Sequence, residues 1–374
     1  MQLGGKIYCN LNELEEDAKH IVGANAYGYL SSGSDSQWSL AANVKAFSSY
    51  YFIPRCLVDV SSVSTETDLL GCASSCPIMI APMAMQKLCT AEGELAMAKA
   101  AKHVNIPMCL STMSTSKMED VANIGNESLF FQLYCLTDRS VTEAMVRDAE
   151  LQNFKGIILT VDAPRLGKRE IDEKCCFSLP DHLSLEIVSH YLGKDPSTQV
   201  GTKEHALHHN SEFAQKFSSL IDDSLTWEVV PWLRSITKLP ILLKGILSAE
   251  DASLAVTYGV DAIIVSNHGG RQLDFSAPPL YCLPAIADAV QNRIPILIDG
   301  GIRRGTDVIK CIALGANACL IGRPFLWSLA LGGSQGVEQA IEMLQQDIER
   351  SMALLGCSSL RDIGPHLIQN VPHF

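Results

Sequence analysis

The 374-residue chain reads as an α/β protein folded as a (β/α)8 TIM barrel, and three observations carry that reading. Short apolar runs rich in β-branched residues occur eight times, and they are continuously apolar rather than alternating, as suits parallel strands covered on both faces. Most of these runs are followed by a helix-like stretch, which is the strand-then-helix rhythm of a barrel. Neither a GxGxxG dinucleotide fingerprint nor a GxxxxGK[ST] phosphate loop occurs, which argues against an open doubly wound sheet; Gly300-Gly301 and Gly305 approach the first pattern at the wrong spacing.

Taken in order, residues 1–75 precede the first run and are expected to cap the barrel. The barrel is expected over 76–330, and a closing helix and tail over 331–374, all within one domain spanning 1–374. The predicted strands are Pro77 to Ala81, Pro107 to Leu110, Leu129 to Tyr134, Gly156 to Asp162, Ile241 to Gly245, Ala262 to Ser266, Pro295 to Asp299 and Ala318 to Gly322. Helices are expected over Glu92 to Lys102, Asp138 to Leu151, Ala249 to Tyr258 and Thr306 to Leu314, with Ser248 and Gly305-Thr306-Asp307 opening the last two. A final helix is expected over Val337 to Leu355.

One interval breaks the rhythm, between Asp162 and Ile241. Thr226 to Thr237 supplies its crossover helix, so the polar stretch of about 171–223 is an insertion on the face where barrel active sites lie, and it is expected to act as a lid. Within it, His205, His208 and His209 share a helical spacing, but no carboxylate or Cys stands at a matching one. A solvated lid is the reading, and no metal site is expected.

Lys and Arg number 29 against 41 Asp and Glu, a formal charge of −12, which argues against nucleic acid as a partner. The 13 cysteines are odd in number and contain no CxxC; Cys72 and Cys76 are spaced CxxxC and Cys175 and Cys176 are adjacent. They read as thiols in a reducing compartment rather than as a disulfide or zinc framework. No basic-then-apolar leader, no bilayer-length apolar run and no Ser-Lys-Leu ending is present. The cytosol is the expected compartment, with the peroxisome as the alternative, and no membrane partner is expected.

Three polar clusters stand at predicted strand ends. In Ser266-Asn267-His268-Gly269-Gly270-Arg271-Gln272-Leu273-Asp274, a His that can take a proton and an Arg that can grip a carboxylate in two prongs would both project into the barrel mouth. In Thr160-Val161-Asp162-Ala163-Pro164-Arg165-Leu166-Gly167-Lys168-Arg169, Asp162 can support a protonated imidazole and Arg169 can add a second guanidinium, although the charged part alone also reads as a surface turn. Asp299-Gly300-Gly301-Ile302-Arg303-Arg304-Gly305-Thr306 and Gly322-Arg323-Pro324 follow the seventh and eighth strands, where barrels commonly hold a phosphate.

These motifs, with Ala81-Pro82-Met83-Ala84-Met85-Gln86-Lys87, Phe131-Gln132-Leu133-Tyr134 and Leu243-Lys244-Gly245, closely resemble those of the FMN-dependent L-2-hydroxy acid oxidase/dehydrogenase family, from about Tyr29 to Gly356. The resemblance implies FMN as cofactor and oxidation of a small 2-hydroxy acid to the 2-oxo acid. Dioxygen would be the acceptor, giving hydrogen peroxide; a quinone or cytochrome acceptor and a non-catalytic flavin-binding barrel are the alternatives. It implies that His268 is the base, supported by Asp162, that Arg271 and Arg169 clamp the substrate carboxylate, and that Tyr29 and Tyr134 hydrogen-bond the substrate. Lys244 would sit against the flavin's N1 and O2 edge, with Ser111, Gln132, Thr160, Ser266 and the Pro82, Met83 and Ala84 backbone also around the ring. Asp299, Gly300, Gly301, Arg303, Gly322 and Arg323 would hold the ribityl phosphate. Met83 replaces the family's usual Thr, and Met113 stands where members acting on glycolate have Trp, which implies a wider, softer pocket. Family members are commonly tetramers, and the helix around Trp232 offers either an interface or packing on its own barrel.

Overall fold

The structure, a computed structural model, describes residues 1–175, 177–193 and 217–371. Eight parallel strands form a closed barrel: β1 (Ile78–Ile80), β2 (Met108–Ser111), β3 (Leu129–Leu133), β4 (Ile157–Thr160), β5 (Ile241–Ile246), β6 (Ala262–Val265), β7 (Ile296–Asp299) and β8 (Ala318–Ile321). They pair in chain order, with β8 returning to β1. Every predicted run holds its strand, with shifts of one residue at the ends of β2 and β5.

Because side chains alternate along a strand, each strand sends one set outward to the helices and one inward. The inward set forms a dry floor of Met79, Cys109, Phe130, Ile158, Leu242, Ile264, Leu297 and Leu320, joined by Leu69 and Cys72 of the hairpin Thr67–Leu69/Cys72–Ser74. Two residues further along each strand, the same face carries Ala81, Ser111, Gln132, Thr160, Lys244, Ser266, Asp299 and Gly322. One register thus builds both the apolar floor and, above it, a ring of small and polar groups at the carboxyl ends of the strands.

β5 departs from regular pairing. Leu242, Leu243 and Lys244 face Ala262, Ile263 and Ile264, but Val265 is matched by Ile246, so Gly245 forms a bulge. Its φ is +115°, and a Cβ there would lie 2.5 Å from the Cβ of Asp162; only glycine lets the end of β4 come this close.

The helices follow the sequence with informative exceptions. The expected helix at 92–102 is α4 (Glu94–His103), and short α5 (Met118–Ala122) follows β2. After β3, α6 (Arg139–Leu151) is capped by Asp138, whose carboxylate accepts from the Ser140 amide. In the insertion, α7 (Glu170–Lys174) and α8 (Glu186–Leu192) are formed, while His205, His208, His209 and Cys176 lie outside the described residues. The crossover helix α9 (Val229–Ile236) packs Trp232 against its own barrel, with the Arg139 guanidinium 4.7 Å above the ring. α10 (Ala249–Thr257), α11 (Pro279–Val290) and α12 (Gly305–Ala313) follow β5, β6 and β7. The closing stretch α13 (Arg323–Leu355) is two helices joined at Gly332 and Gly333, whose backbone is non-helical; the first follows β8 directly and was not predicted, and the second contains the predicted helix Val337 to Leu355.

The N-terminal segment contributes α1 (Leu14–Val22), α2 (Ala24–Ser31) and α3 (Trp38–Lys45). It reaches the barrel mouth: Ser34 N–H and Oγ both donate to the Gly270 carbonyl, and the Asn43 and Asn267 amides exchange hydrogen bonds at 2.7 and 2.8 Å.

Candidate active site

Above the polar ring lies a cavity open to solvent, and almost all the site residues chosen from the sequence line it. Tyr29, Pro82, Met83, Ala84, Ser111, Met113, Gln132, Tyr134, Thr160, Arg169, Lys244, His268, Arg271, Asp299, Gly300, Gly301, Arg303, Gly322 and Arg323 all face it. Asp162 and Ser266 stand one layer behind and act on the wall through others.

His268 sits in a tight loop after β6. It has φ +58°, followed by Gly269 and Gly270, also at positive φ, and a Cβ at Gly270 would lie 2.5 Å from the Leu40 amide nitrogen. The bend aims the imidazole back over the barrel. Nδ1 donates to Asp162 Oδ1 at 2.8 Å, so the free Nε2 points to the cavity, 3.4 Å from the Tyr134 hydroxyl. Burial on its own would raise the Asp162 carboxyl, but the charge and hydrogen bond of His268, with Lys244 beyond, overturn this and hold it below its ordinary value. Burial, with Asp162 nearby, pushes the Tyr134 phenol well up, so it stays a donor.

Lys244 is buried, which disfavours its charge, but Asp299 at 2.9 Å and Asp162 more than compensate and raise its pKa. It also donates to Ser266 Oγ at 2.8 Å, and that same oxygen accepts from the His268 amide at 3.0 Å. Asp299 therefore belongs to the lysine; the expectation that it faces a phosphate gives way to this ion pair, since two anions would repel. Beside it, the Ser111 hydroxyl donates to Gln132 Oε1 at 3.1 Å and Gln132 Nε2 donates to Thr160 Oγ1 at 3.0 Å.

The third group is a set of guanidiniums. Arg323 spends its donors on the carbonyls of Leu30, Gly269 and Ser32, and Arg271 Nη1 on those of Tyr29 and Ser32. Burial and the charge of Arg169 pull Arg271 down to about 10, burial with Arg271 and Arg303 pulls Arg323 to about 9, and burial lowers Arg303. Among the described residues none of these three is ion-paired with a carboxylate, so the mouth carries positive charge that a ligand can neutralise.

These features fit FMN. Asp299 Oδ1 is buried with no partner, an acceptor open to a ligand donor. At Gly322 a Cβ would meet nothing nearer than 3.6 Å, so its missing side chain leaves room, and Arg303 and Arg323 flank that room with charge suited to a phosphate. Lys244 supplies a fixed cation at the cavity wall, suited to an electron-rich ring.

Several residues that line or back the wall were missed in the sequence. Asp172 is ion-paired with Arg169 Nε at 3.2 Å, a partner that the i,i+3 spacing would have revealed once Arg169 was placed on a helix start. Gln272 ties the two loops, its Nε2 donating to the Asp162 carbonyl and its Oε1 accepting from the Gly167 amide. Phe177 stacks on Tyr29 at 4.3 Å and Phe217 packs edge-on against Tyr134 at 5.6 Å. Both lie near the ends of the polar insertion, where no periodicity marks them.

A closed barrel with a His–Asp pair, a buried lysine and an arginine-lined mouth is the architecture of a flavin-dependent oxidoreductase acting on an anion. The family model described as FMN-dependent dehydrogenase matches residues 18–370, and the chain belongs to that family and uses FMN. It is similar to glycolate oxidase of Spinacia oleracea, 47% identical over 95% of this chain and 94% of the relative. It also resembles 2-hydroxyacid oxidase of Dictyostelium discoideum, 44% identical over 96% of this chain and 90% of that one. Among solved structures, mandelate oxidase with (S)-4-hydroxymandelic acid superposes with a TM-score of 0.90 at 38% identity, covering 97% of this chain and 99% of the other. Among the described residues no helix is long and apolar enough to cross a membrane.

Proposed function

We propose that the protein oxidises a small L-2-hydroxy acid to the 2-oxo acid and passes the two electrons to dioxygen, giving hydrogen peroxide. The observation that carries this reading is the placement of His268 Nε2, backed by Asp162, beside the Tyr134 hydroxyl in a cavity that also holds Arg169 and Arg271. Such a set suits a short anion bearing a hydroxyl next to its carboxylate. The relatives named for glycolate, 2-hydroxyacid and mandelate oxidation support it.

In this reading Arg271 and Arg169 grip the carboxylate, and Tyr29 and Tyr134 orient it and the hydroxyl, presenting one face of the α-carbon. Nε2 of His268 takes the proton released at the carbinol centre, and Asp162 stabilises the imidazolium formed. FMN, when bound, would supply the two-electron acceptor; Arg303, Arg323 and the Gly300, Gly301 and Gly322 backbone would hold its phosphate and Lys244 its ring. The Lys244 ammonium, kept charged by Asp299 and Asp162, would favour negative charge gained there. The balance is R–CHOH–COO⁻ plus O₂ giving R–CO–COO⁻ plus H₂O₂.

Met113, buried against the cavity with Met83 and Leu166 also lining it, leaves an apolar wall with two flexible, unbranched methionines, so we assign lactate or longer acids alongside glycolate. We further read the chain as one catalytic domain acting in a homo-oligomer; the exposed cluster of Trp38, Leu273 and Phe275 supports the second point. All twelve cysteines among the described residues are free, in keeping with a cytosolic or peroxisomal setting.

Anaerobic titration of the FMN-loaded protein with glycolate, L-lactate and a longer 2-hydroxy acid, followed by air, tests the proposal. Loss of flavin absorbance with fast recovery and peroxide release is expected. Loss without recovery would replace dioxygen by another acceptor, and no loss with any acid would overturn the substrate class.

A further inference from the structure

Arg169 enters the cavity from the position just before α7, and its guanidinium is held from one side only. Nε faces Asp172 Oδ2 at 3.2 Å, while among the described residues neither Nη has a hydrogen-bond partner. Both side chains are almost fully buried, at 8% and 4% exposure, so the pair is poorly screened. The second oxygen of Asp172 accepts from the Ser32 hydroxyl at 3.2 Å, at the end of α2. The Ser32 carbonyl in turn receives Arg271 Nη1 at 2.6 Å and Arg323 Nη2 at 2.9 Å, and the Arg169 and Arg271 guanidiniums lie 5.3 and 5.1 Å from the Tyr29 ring. Among the described residues Asp172 is the carboxylate ion-paired into this arginine cluster.

We propose that Asp172 is a positioning residue that serves as the resident counter-anion of the substrate-carboxylate site. It fixes Arg169 through Nε, leaves the Nη edge for the incoming carboxylate, and offsets enough positive charge to keep the binding of carboxylates moderate. Substrate and product of the proposed reaction are both carboxylates, so a site without this offset would hold the product as tightly as it draws the substrate in. The inference rests on the proposed 2-hydroxy acid reading of the same site. Burial lifts the Asp172 carboxyl above its ordinary value against the pull of Arg169 and Arg271, which fits an anion held at some cost.

The test is the binding of a 2-oxo acid, followed by perturbation of flavin absorbance in the FMN-loaded wild type, Asp172→Asn and Asp172→Glu, together with KM and kcat for the best 2-hydroxy acid. Removing one buried charge near two guanidiniums should tighten 2-oxo acid binding about 3- to 10-fold in Asp172→Asn. KM should fall with it while kcat does not rise, and Asp172→Glu should stay nearer to wild type. Weaker or unchanged binding in a folded, FMN-replete Asp172→Asn would overturn the proposal and leave Asp172 a structural strut. Should that variant not load FMN, Asp172→Ser, which removes the charge with a smaller side chain, gives the same reading. A wild type that neither binds 2-oxo acids nor turns over 2-hydroxy acids would instead defeat the functional reading on which this rests.

Discussion

The two walls of the cavity are built in different ways. On one, Ser111, Gln132, Thr160, Lys244 and Asp299 stand on barrel strands, with partners from other strands of the ring and, for Lys244, from Ser266 one layer behind. On the other, Tyr29 of α2 and Arg169 just before α7 are backed by Asp172 and Phe177 of the insertion, and they meet through stacking, an ion pair and a hydroxyl. The first wall inherits the rigidity of a closed hydrogen-bonded ring; the second depends on side-chain packing between segments far apart in sequence. Groups that must keep a fixed relation to a cofactor are on the ring, and groups that meet the variable part of a substrate are on the packed segments.

Four experiments would break or sharpen that contrast. The largest effect is expected at the centre, where the walls meet: His268→Gln should lower kcat about 10³-fold with FMN content unchanged, read by steady-state turnover and flavin absorbance. Retained turnover would remove His268 from the chemistry. Next, Met113→Trp should cut kcat/KM for a long or aromatic 2-hydroxy acid relative to glycolate about 10-fold or more, since a rigid bulky ring replaces a flexible chain. An unchanged ratio would place the substrate's side group elsewhere in the cavity. On the packed wall, Phe177→Leu should raise KM about 3- to 5-fold with kcat nearly intact, because it loosens Tyr29 without touching the strand ring. A fall in kcat or loss of FMN would show that the two walls are not separable.

The smallest effect concerns acid stability. The Asp162 carboxyl is lowered in the folded protein, so its hydrogen-bonded carboxylate stabilises the fold above the ordinary carboxylate pKa and that contribution disappears as pH falls through the lowered value. The melting temperature of Asp162→Asn should therefore lie below that of the wild type at neutral pH and approach it on acidification. A gap that widens toward low pH would contradict the assignment.

Much of the strand wall was legible in the sequence because one rule produces it. Each apolar run carries a floor residue, and the residue two further on shares its face, so Phe130 leads to Gln132, Leu242 to Lys244 and Leu297 to Asp299. The resemblance supplied roles for those positions, but the period-2 pattern explains why they converge. What stayed hidden depends on tertiary contact. Nothing local to Asp299 reveals that its partner is Lys244, because that pairing spans two strands that are not neighbours in the barrel. Phe177 and Phe217 meet the tyrosines only after the insertion has folded back. The first half of α13 stayed hidden because Gly332 and Gly333 separate it from the second, so no single helical period runs from Arg323 to Leu355.

The bulge at Gly245 extends this to a position with no side chain at all. Since a single methyl group there would collide with Asp162, the backbone of β5 sets how closely the carboxylate can approach His268. In a saturation-mutagenesis map, residue 245 would therefore score with the reactive groups, its intolerance recording the shape of empty space that one catalytic partner must occupy.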